Sequence, residues 1–335
     1  MSQCQELAVR SPAGVRRCAV FAGVVFGLAF FCAPERAAAA EIRGDLIGAL
    51  AAHKVAEPET LITIARRYDL GFVELQAANP DIDPWTPAVG TRLVLPTAHL
   101  LPAAPRRGIV INLAELRLYY FDPAGTVVTF PIGIGGSGWE TPVGETRVVG
   151  KRERPTWTAP ASIRAERPDL PAQIPPGPYN PLGDFALDLG WRGYVIHGTN
   201  KPAGIGRRVS HGCIRLYPED IAWLFPRVAM GTLVTVVDQP VKVGWSDGAL
   251  YMEVHPTQAQ ADTIEAYGMF APETATDLDW RVQRAAGAAA GRLDWPLIRR
   301  IAEERRGMPE RIGPNPPAAP SHGTGGGPLP YLRSD

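Results

Sequence analysis

The chain has 335 residues, with 34 Lys and Arg balanced by 34 Asp and Glu. Residues 1–40 hold four Arg and two Glu, so the remainder carries two more acids than bases. Such a balance provides no concentrated basic face and argues against a nucleic-acid partner. With 35 Gly and 34 Pro the composition favours strands and turns over a helix bundle, and the length admits two or three domains.

The N-terminus reads as an export signal over residues 1–40. Arg10, Arg16 and Arg17 precede an apolar run from Cys18 to Ala33, and Ala37–Ala40 offer a small-residue cleavage site with Glu41 as the first residue of the mature chain. An uncleaved membrane anchor is the alternative, although the run is short for a span of about 20 residues. Cys4, Cys18 and Cys32 all lie in this segment, which leaves Cys213 as the one thiol of the exported chain. Exported proteins pair their cysteines, so a solitary thiol asks for a chemical reason.

Residues 53–97 predict a small βααβ unit. His53-Lys54-Val55 is extended, and Thr60 caps a helix with Leu61, Ile64, Ala65 and Tyr68 on one face. A second helix holds Phe72, Val73, Leu75 and Ala78, and Gly90-Thr91-Arg92-Leu93-Val94-Leu95-Pro96 returns as a strand. Residues 98–107, rich in Pro and Arg, suit an exposed linker. Residues 108–238 predict a β-rich domain, with strands over 109–113, 116–121, 126–132, 185–189, 194–196 and 233–237 and one short helix over 218–225. A β-hairpin is expected within 239–256, turning at Ser246-Asp247-Gly248, followed by two or three helices over 257–312 and a disordered Pro- and Gly-rich tail over 313–335. The fold class is mainly β, with a helical C-terminal extension.

Cys213 lies in Ser210-His211-Gly212-Cys213-Ile214-Arg215, with His197 sixteen residues before it. A thiol becomes a nucleophile when a base takes its proton, and His197 and His211 are both candidates. His211 points away from Cys213 unless the chain bends sharply, so His197 is assigned as general base and acid. No carboxylate is placed to orient it, and a backbone carbonyl near Gly198 is expected to do so. Gly212 permits close backbone approach, letting the amides of residues 211–213 hold an oxyanion. Arg215 suits either a substrate carboxylate or a salt bridge beneath the site. Ser210 is suited to a bond within the turn or to positioning His211. A zinc site built from His197, His211, Cys213 and His255 is the metal alternative, but the spacings match no closed site. No metal or other cofactor is expected.

His197-Gly198-Thr199-Asn200, the interval to Ser210 and the motif through Arg215 resemble the signature of L,D-transpeptidases of the YkuD type. Gly133-Ile134-Gly135 and Thr141-Pro142-Val143-Gly144 resemble the segment that precedes it. Residues 53–97 resemble a LysM module, departing from that family at Glu57-Pro58-Glu59-Thr60, where a Gly-Asp turn is usual. The resemblance implies a periplasmic enzyme with Cys213 as nucleophile, acting on peptidoglycan stem tetrapeptides and bound to glycan strands. It implies release of D-alanine through a thioester, then transfer to a second stem or to a lysine of an outer-membrane lipoprotein. A carboxypeptidase using water and a non-catalytic wall-binding scaffold are the competing expectations. The cleft walls are expected from Ser137-Gly138-Trp139 and from residues 168–181.

Overall fold

The computed structural model describes residues 39–273 and 275–313; the expected signal and most of the expected tail lie outside them. The central feature is a nine-stranded sheet. Its strands run in the spatial order 40–41, 126–131, 117–121, 108–112, 233–237, 144–153, 185–189, 195–197 and 214–215. Two neighbour pairs are parallel. Leu233–Val237 lies parallel to Gly108–Asn112, and Val195–His197 lies parallel to Ile214–Arg215 at the sheet's edge. The remaining neighbours are antiparallel. The ten-residue strand Gly144–Glu153 at the centre was not anticipated. It lacks the apolar run that marks a strand buried on both faces, and only Thr146 and Val148 are buried along it.

In the small N-terminal unit, helix Leu61–Arg67 begins with a reciprocal cap in which Thr63 N–H donates to Thr60 Oγ1 and Thr60 N–H to Thr63 Oγ1. Leu61, Ile64 and Ala65 are buried at the spacing of one helix face. Helix Phe72–Ala78 follows, and strands Ala51–Lys54 and Arg92–Leu95 pair antiparallel. Residues 98–101 are no exposed linker. Ala98–Leu100 pairs with Leu46–Gly48, and Ala98 to Leu101 are buried, since this apolar run covers the sheet rather than crossing solvent.

One apolar core runs from Leu61, Ile64 and Leu75 of the small unit into Ile109, Leu118 and Ile196 of the sheet. The interface also holds a buried ion pair. Glu74 Oε2 caps its own helix by accepting from Gly71 N–H, and the same carboxylate takes Arg117 Nη2 at 2.7 Å. Both side chains are almost fully buried. The hairpin Val241–Ser246 and Ala249–Val254 packs with helices Leu278–Ala286 and Trp295–Glu304 around a second core.

Glu74→Ala is expected to destabilise the fold by about 3–5 kcal/mol, because Arg117 is left buried and unpaired. Adding Arg117→Met should recover much of that loss in chemical denaturation. Additive losses in the double variant would show that the pair does not couple the two units.

Candidate active site

Strand register gathers the site. His197 is directly opposite Ala186 on one side and Arg215 on the other, while Val195 is opposite Asp188 and Ala186 opposite Arg152. Successive side chains alternate between faces, so Ile196, Leu187 and Ile214 point into the core while His197, Asp188, Arg152 and Arg215 share the opposite face. Cys213, two residues before Arg215, falls on that same face. It is diagonal to His197, and such pairs sit about 7–8 Å apart, within side-chain reach. Ile214–Arg215 is the last strand of the sheet, bridged on its outer side by Gly133, and the thiol just before it is partly exposed.

The turn that carries Cys213 is held by three side-chain contacts. Ser210 Oγ donates to Cys213 O at 2.6 Å, closing the turn. Thr141 Oγ1 donates to Gly212 O at 2.9 Å and accepts from Gly135 N–H at 3.1 Å. Gly212 has φ +96°, and a Cβ there would lie 2.8 Å from the Tyr194 ring, so geometry and space both require glycine. The backbone amides of His211, Gly212 and Cys213 have no acceptor among the described residues.

His197 is buried, with Nδ1 2.6 Å from Gly198 O. Donation to that carbonyl puts the proton on Nδ1 and leaves Nε2 as the basic nitrogen. Burial drives its pKa down to about 3, with the positive charge of Arg215 adding to the shift and the Gly198 carbonyl opposing it. Burial pushes the Cys213 thiol up, against the Val195 amide and the charges of Arg215 and Arg152. The resting state is therefore neutral thiol beside neutral imidazole, with the thiol donating to Gly193 O at 3.6 Å.

His211 turns elsewhere. Its Nε2 lies 3.0 Å from Glu166 Oε2, and its ring packs 4.8 Å from that of Trp139. Glu166 ends the short helix Ala161–Glu166 in the excursion 154–184, whose base is clamped by the fully buried Asn180 through Pro155 O at 2.7 Å. The excursion thus meets the thiol turn through 161–166, while Tyr179 O is held by Asn200. Arg215 has no ion-pair partner among the described residues, and its buried Nε is unsatisfied. Thr141, Arg152 and Asp188 had no assigned role in the sequence. The last two form a fork, Arg152 Nε and Nη2 reaching Asp188 Oδ2 and Oδ1 at 2.9 and 2.6 Å.

His255 is not near this turn. Its Nε2 lies 2.6 Å from Glu253 Oε1 behind the hairpin. Among the described residues, the cluster with metal-ligand geometry is His99, Glu115 and Glu253. Lys242 Nζ sits 2.9 Å from both of those carboxylates and supplies the cation there itself.

Residues 106–237 match the L,D-transpeptidase catalytic domain, YkuD, and residues 53–96 match the LysM domain. Probable L,D-transpeptidase YcfS of Escherichia coli strain K12 is 44% identical over 260 residues, covering 75% of this chain and 79% of that protein. Probable L,D-transpeptidase YbiS of the same strain is 43% identical over 260 residues, covering 74% and 81%. Among solved structures, the catalytic domain of the E. faecium L,D-transpeptidase is 25% identical with a TM-score of 0.32, covering 41% of this chain and all of that one. At this identity and coverage the chain belongs to the YkuD family of L,D-transpeptidases and carries a LysM domain.

Proposed function

We propose that this protein is a periplasmic cysteine acyltransferase that remodels peptidoglycan through Cys213. The observation that carries the reading is one sheet edge holding a partly exposed thiol, a buried neutral imidazole on the same face, and three amides without acceptors among the described residues. Rotation about the Cys213 Cα–Cβ bond takes the sulfur from Gly193 O toward Nε2 of His197, which accepts the thiol proton as sulfur attacks the substrate carbonyl. The bond attacked joins the third residue of a stem tetrapeptide to its terminal D-alanine. The oxygen that becomes negative accepts from the amides of residues 211–213. Collapse breaks the C–N bond, His197 returns the proton to the departing amine, and a thioester remains on Cys213.

An incoming amine then attacks the thioester, gives up its proton through His197, and regenerates the thiol. The amine comes from a second stem, giving a 3-3 cross-link, or from a lysine of an outer-membrane lipoprotein. Arg215 offers its unpaired guanidinium to a stem carboxylate. His211, Trp139 and Glu166 form one wall of the cleft, restricting water, and the LysM domain holds the enzyme to glycan strands.

Three results test this. Cys213→Ala should abolish acyl transfer and remove the covalent adduct that the parent acquires from a carbapenem, read by intact mass; retained turnover would refute the nucleophile. Arg215→Met should lower kcat/KM by roughly 30-fold, about 2 kcal/mol, for loss of a charged hydrogen bond. With His197 neutral down to about pH 3 and the thiol raised, iodoacetamide alkylation of Cys213 should still be climbing above about pH 9. A plateau reached near pH 6.5 would instead reveal a preformed thiolate–imidazolium pair.

A further inference from the structure

The segment that feeds the catalytic turn is held in its domain by a short ladder and a few flanking backbone bonds. Arg208–Ser210 pairs in parallel with only Ile134–Gly135, through Arg208 opposite Ile134 and Ser210 opposite Gly135. Val209 is left over as a bulge. A ladder this short, interrupted by a bulge, specifies its register weakly. Yet Ser210 must be in place, since its Oγ holds Cys213 O and its carbonyl accepts from Gly136 N–H at 3.0 Å.

Flanking backbone bonds, from Gly206 N–H to Ile132 O at 3.1 Å and from Ile134 N–H to Arg207 O at 3.0 Å, help hold the register, and a side-chain clamp from outside the catalytic domain adds to them. Helix Gln258–Tyr267 of the C-terminal extension presents Asp262 and Glu265, three residues apart and therefore on one face. Glu265 Oε1 takes Arg207 Nη1 at 2.8 Å. Asp262 takes Arg208 Nη1, which also donates to Gln258 O at 3.0 Å. The arginines are largely buried, with side chains 13% and 6% exposed. Arg207 lies 3.9 Å over the ring of Phe72, from the first turn of the second LysM helix. Among the described residues, Nε of both arginines and Nη2 of Arg207 have no hydrogen-bond partner. The two carboxylates are thus the principal compensation for two buried cations, and a buried cation that loses its partner is strongly unfavourable.

We infer that Asp262 and Glu265 are positioning residues for the acyl-transfer reaction, and that the helical extension serves to fix the thiol turn through Arg207 and Arg208. This rests on the reading of Cys213 as nucleophile. Neither acid touches substrate. If the clamp loosens, the bulge slips, and Ser210, the three amides and the sulfur lose their mutual alignment. The cleft floor on the long strands 144–153 and 185–189 remains. Misalignment of reacting groups slows the chemical step more than it weakens binding.

The test is the Asp262→Asn/Glu265→Gln double variant of the full chain, with active enzyme counted by carbapenem adduct. A fall in kcat of tenfold or more per folded molecule, with KM within about threefold of the parent, is expected, and Asp262→Glu alone should retain most of the activity. A purely structural role would lower the melting temperature and leave kcat per folded molecule unchanged, which would overturn the inference. If the double variant does not fold, Glu265→Gln alone should lower kcat by threefold or more, and an unchanged kcat there overturns it equally. A parent chain without turnover would sink the acyl-transfer reading and this one with it; an active parent with unaffected variants would sink only this one.

Discussion

The parallel pairing of Val195–His197 with Ile214–Arg215 is the constraint on which the rest depends. It brings two stretches of chain together at the last position of a nine-stranded sheet, where Gly133 bridges the outer side of Arg215 and the thiol before it stays partly exposed. The alternation of a strand then sorts the side chains. Ile196 and Ile214 complete the core beneath, and His197, Cys213 and Arg215 are left above. A slip of one residue would exchange these sets and place an imidazole in the core.

The electrostatics of that edge follow from burial more than from any charge. A buried imidazole hydrogen-bonded to a carbonyl resists protonation, and two nearby guanidiniums add to that resistance. The same guanidiniums favour the thiolate, but burial outweighs them at rest. Sulfur and imidazole are therefore both neutral at rest. An orienting carboxylate behind the histidine would have favoured the imidazolium; a backbone carbonyl fixes the tautomer with less bias toward the charged form.

Much of this was legible in the residues. Thr60 and the apolar spacing after it marked the first helix, Ser246-Asp247-Gly248 marked the hairpin turn, and the thiol with two histidines before it pointed to the chemistry proposed for it. What was hidden depended on pairing across long separations. Strand 144–153 carries Glu145, Arg147, Lys151, Arg152 and Glu153, with Lys151 ending on the carbonyls of Phe225 and Val228 and Arg152 on Asp188, so its composition looks like a loop. Thr141 lies seventy-two residues before Cys213, and only the fold shows that its hydroxyl holds the Gly212 carbonyl. His211 was expected to point away from Cys213, but its partner, Glu166, comes from an excursion with no periodic pattern and could not be read from the residues. Residues 98–101 were obscured by the prolines that follow them.

The proposed function requires first that the Cys213 sulfur become acylated by a stem peptide. Incubating the full chain with a stem tetrapeptide, without an amine acceptor, and mapping the quenched protein by tandem mass spectrometry measures this directly. The account predicts a tripeptidyl thioester on Cys213 with one D-alanine released per adduct. Substrate turned over while Cys213 stays unmodified, or an adduct on any other residue, would contradict it.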